Sequence, residues 1–74
     1  MTIRDLQNTC TEASARTGRH FEVIREPISG RYAVTVDLPD DLRAHPEQWL
    51  RARDCNTIHY WIRHLNAVMA KVGS

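Results

Sequence analysis

The chain predicts an α+β fold: one small domain over residues 1–74, with the element order α-β-β-α. Three patterns predict it. A stripe of apolar and small residues recurs at helical spacing near the N-terminus. A central stretch alternates apolar and polar positions. A C-terminal stretch places seven apolar residues on one side of a helix. The 74 residues are 42% hydrophobic and 26% charged, an ordinary balance for a globular domain.

The first helix is expected from Thr2 to about Thr17. Ile3, Leu6, Cys10, Ala13 and Thr17 fall at spacings of three and four, so they share one stripe. Thr2 and Asp5 fit a capping box, and Gly18 fits the left-handed stop. A hairpin follows. His20 to Glu26 and Arg31 to Leu38 are rich in aromatic and β-branched residues. Tyr32, Val34, Val36 and Leu38 alternate with Ala33, Thr35 and Asp37, giving one apolar face that Phe21 and Val23 match from the other strand. Pro27-Ile28-Ser29-Gly30 supplies the turn, with Ile28 expected in solvent.

A short helix is expected from Pro46 to about Arg53, carrying Trp49 and Leu50. Asp54 then caps a long amphipathic helix to about Val72, with Gly73 after it. Ile58, Trp61, Ile62, Leu65, Val68, Met69 and Val72 lie within a sector of about 120° on that helix. The hairpin's apolar face is expected to pack on the first and last helices. The expected core is Ile3, Leu6, Phe21, Val23, Val34, Val36, Trp49, Ile58, Trp61, Ile62, Leu65 and Met69.

Composition excludes several function classes. Ten basic residues nearly cancel nine acidic ones, so binding of nucleic acid by bulk charge is not expected. No apolar run reaches the roughly 18 residues of a membrane span. MTIRDLQNTC has no apolar leader stretch, so a cytoplasmic location is expected, and two cysteines make no disulfide framework. Glycines at 18, 30 and 73 alone form no phosphate cradle. A domain this small has little interior left for a ligand pocket.

Two chemical constellations stand out. Cys55 and His59 sit four apart, as a thiolate–imidazole pair would, yet no third orienting group or oxyanion donor accompanies them. Cys10, Cys55, His20, His45, His59 and His64 supply ligand types for zinc, but there is no Cys-x-x-Cys and no His-x-x-x-His. A buried Cys10 and surface histidines are the simpler reading, so neither catalysis, nor a metal, nor a cofactor is expected. Asp40 and Asp41 are adjacent and point apart, which suits helix capping.

The outer surface is therefore the expected working part. Tyr60 lies on the far side of the last helix from its apolar sector, with Arg63 on the same side and His64 flanking it. An exposed aromatic beside arginine has the composition of a protein interface. Arg51 and Arg53 add positive charge just upstream, and with Arg63, Lys71 and Tyr60 they also fit nucleic-acid contact. The leading expectation is a non-catalytic protein-binding regulator or stoichiometric inhibitor that occludes a larger target through Tyr60, Arg63, His64, Arg51 and Arg53. Small proteins of phages and mobile elements, anti-CRISPR proteins among them, act this way, an analogy of size class only. The alternative is a small nucleic-acid-binding module using the C-terminal arginines. A lone hairpin leaves two open edges, so a homodimer through a sheet edge or the C-terminal helix is a further expectation.

Overall fold

The computed structural model describes residues 1–37 and 55–73. The chain folds in the expected order: α1 (Ile3–Thr17), β1 (Phe21–Arg25), β2 (Tyr32–Val36) and α2 (Ile58–Gly73). The α1 cap forms as its sequence requires. Thr2 Oγ1 accepts from the Asp5 N–H at 3.4 Å, and Asp5 Oδ2 accepts from the Thr2 N–H at 2.7 Å. At the other end Gly18 takes φ 72°, and its N–H donates to Ser14 O. Ser14 also directs the chain onward: its Oγ donates to Cys10 O and accepts from the Phe21 N–H at 2.9 Å, tying the start of β1 to α1.

The two strands pair antiparallel, with Phe21 opposite Val36, Val23 opposite Val34 and Arg25 opposite Tyr32. The Arg25 guanidinium lies over the Tyr32 ring at 5.4 Å from its centroid. Gly30 closes the turn at φ 71°, and Ile28 at its tip is 95% exposed. Bonds from Asp37 N–H to His20 O and from Glu26 N–H to Arg31 O set the phase of the ladder. In that phase Phe21, Val23 and Arg25 direct their backbone groups to the outer edge of β1.

Leu6, Cys10 and Ala13 of α1, Phe21 and Val34 of the hairpin, and Trp61, Ile62, Leu65, Val68 and Met69 of α2 are buried together. Val23, Val36 and Ile58 are half-buried at the margin of this cluster. Ile3 departs from the expected core and is 37% exposed. At 100° per residue it points about 60° away from Leu6, and it stands in the first turn, so it reaches the rim of the stripe and not its floor. Trp49 lies outside the described residues, as does the short helix expected from Pro46 to Arg53.

The last helix also begins later than expected. Cys55 is not helical; it forms an antiparallel bridge with Tyr32, N–H to O in both directions at 2.9 and 2.8 Å. A residue held in that extended pairing cannot also belong to a helical turn, so α2 starts at Ile58. The bridge fills the outward backbone groups of Tyr32. The outward groups of Val23 and Arg25 have no partner among the described residues.

Candidate partner-binding surface

The outer side of α2 is shaped by what lies beneath it. Trp61 is fully buried, and its Nε1 donates to Tyr32 O at 3.1 Å. That anchor fixes the indole. The Tyr60 ring meets it edge-on at 6.4 Å and 88°, and the His64 ring at 5.8 Å and 78°. Two surface rings thus rest edge-on against one core ring.

Thr57, His59, Tyr60, Arg63 and His64 line an open depression of about 540 Å³ on this side. Helical spacing explains the grouping. Thr57, Tyr60 and His64 follow one another at three and four residues, and His59 and Arg63 form the adjoining row. Tyr60 is 46% exposed, Arg63 is exposed and His64 is half-buried. The structure therefore brings together the three α2 residues singled out from sequence. Arg51 and Arg53 lie outside the described residues. Sequence reasoning missed Thr57 and His59 as members. The i, i+4 spacing of His59 and Arg63 was the available signal.

The other candidate groups make separate contacts among the described residues. Cys55 Sγ is 3.1 Å from Thr57 Oγ1 and accepts from the Thr57 N–H at 3.5 Å, so its polar contacts are local. Cys10 is buried, and desolvation pushes its thiol up to about 11, away from thiolate chemistry. His20 faces Glu22 at 3.8 Å on the hairpin. Among the described residues no three groups of metal-binding type come together, and His45 lies outside them. No described helix is long and apolar enough to cross a membrane.

Comparisons with protein-family models, with curated proteins and with solved structures found no match to this chain.

Proposed function

We propose that this small α+β domain is a non-catalytic, protein-binding regulator or stoichiometric inhibitor that works by covering part of a larger target. Tyr60, Arg63 and His64 make the central contact, with Arg51 and Arg53 as further contacts in a cytoplasmic setting. One observation supports the reading above the rest: two aromatic side chains and an arginine share a depression whose rings are braced by a buried indole. Bracing lowers the side-chain entropy lost on binding, and Tyr and Arg are among the residues enriched where protein interfaces hold most of their binding energy.

Tyr60→Ala tests it. The variant is expected to keep its thermal midpoint within a few degrees, since nearly half of the side chain is in solvent. It is also expected to lose retention of a discrete target in affinity capture, scored side by side with the unaltered protein. Retention at full strength with Tyr60 removed would refute this placement of the interface.

Nucleic acid is the second reading, favoured by the absence of any acidic residue from α2, which carries Arg63 and Lys71. It predicts affinity for random oligonucleotides that falls steeply with salt. Self-association at the β1 edge, where the outward groups of Val23 and Arg25 have no partner among the described residues, or through α2, is a third arrangement that sedimentation would detect.

A further inference from the structure

Resting on the protein-binding reading, we infer that the α2 depression receives an acidic segment of the partner protein, with a partner carboxylate on Arg63 and the neighbouring side chain against the Tyr60 ring. Four observations converge. Each of the five lining side chains carries a hydrogen-bond donor, and none is a carboxylate. From residue 55 to residue 73 the sequence contains no Asp or Glu. Arg63 is exposed and makes no ion pair among the described residues, whereas Arg16 is paired with Glu12 and Arg25 lies over Tyr32. The described acidic residues, from Asp5 and Glu12 to Glu22, Glu26 and Asp37, belong to α1 and the hairpin.

The geometry separates this occupant from a polyanion. A phosphate backbone requires a series of cations spaced along its path. Only Arg63 among the lining residues carries a permanent charge, and Lys71 stands two helical turns further on. A single planar guanidinium suits one carboxylate, which it can bind through two parallel hydrogen bonds. The aromatic wall beside it suits an apolar side chain next to that carboxylate in a peptide.

The test is a titration of isotopically labelled protein with a hexaglutamate peptide, followed by amide and side-chain chemical shifts. Hexalysine and an oligothymidylate of matched charge serve as comparison ligands. Binding of hexaglutamate below about 10 mM is expected, with shifts centred on Thr57, His59, Tyr60, Arg63 and His64. Arg63→Gln should weaken it at least about tenfold, the scale of one lost charged hydrogen bond, while Arg4→Gln on α1 leaves it unchanged. Equal weakening by both variants, tighter binding of the oligothymidylate, Arg63-dependent dimerisation, or no hexaglutamate binding would each overturn the inference. The protein-binding reading fails separately, through full target retention by Tyr60→Ala.

Discussion

Cys10 shows how much a single buried atom can say. Its thiol is enclosed by the core and held well above the usual cysteine range, up to about 11, because burial disfavours the thiolate. In the unfolded chain the same thiol ionises nearer 9.0. The folded state therefore keeps its proton while the unfolded state loses it. Stability from this site is complete below about pH 9 and declines as pH rises towards about 11. The denaturation midpoint should fall across that window, and Cys10→Ala should flatten the fall. Iodoacetamide at neutral pH should label Cys55 in the native protein and Cys10 only after unfolding. At this scale the sequence is informative in part: Cys10 lies on the α1 stripe beside Leu6 and Ala13, but the core expected from sequence includes neither Cys10 nor Ala13, and both are buried. Ile3 is 37% exposed although it lies near the stripe, because a stripe says which way a residue points and not whether a neighbour reaches it there.

Elements were legible where local chemistry decides them. The Thr2–Asp5 box and Gly18 bound α1 at both ends, as their side-chain and backbone preferences dictate. Gly18 has φ 72°, and a Cβ placed on it would meet no atom within 4 Å. Gly18→Ala should therefore destabilise by about 1 kcal/mol through backbone strain alone. Gly18→Asn should cost less, and chemical denaturation of the two variants would read the difference. If both cost the same, left-handed strain is not the cause. The start of α2 was not legible in this way. Asp54 is a good capping residue, but the bridge between Cys55 and Tyr32 takes the chain into an extended conformation. A pairing of backbone groups between residues so far apart in the chain leaves no mark on side-chain pattern.

Across the whole molecule, the Trp61 indole ties α2 to the hairpin. Trp61 fills the space between α2 and the hairpin and binds Tyr32 O, which also accepts from the Cys55 N–H. Truncating a buried tryptophan to alanine costs about 3–5 kcal/mol. A domain of this length has a total stability of roughly 4–11 kcal/mol. Trp61→Ala should thus lower the unfolding midpoint steeply by circular dichroism, and abolish the cooperative transition if the total lies at the low end of that range. Trp61→Phe should fold with a lowered midpoint, having lost the Nε1 bond but kept most of the volume. A cooperative transition of unchanged midpoint in Trp61→Ala would show that the cluster closes without it. The candidate surface was legible in part for the same structural reason. Helical geometry put Tyr60, Arg63 and His64 outside, but their bracing by Trp61 depends on the tertiary position of the hairpin.

That shared carbonyl joins Trp61, β2 and Cys55 at a single atom. Tyr60 and His64 rest on the indole, and the indole is bonded to the strand, so one connected set of contacts runs from the outside of α2 to the hairpin. A ligand seated on the helix would lie one ring away from the strand without touching it.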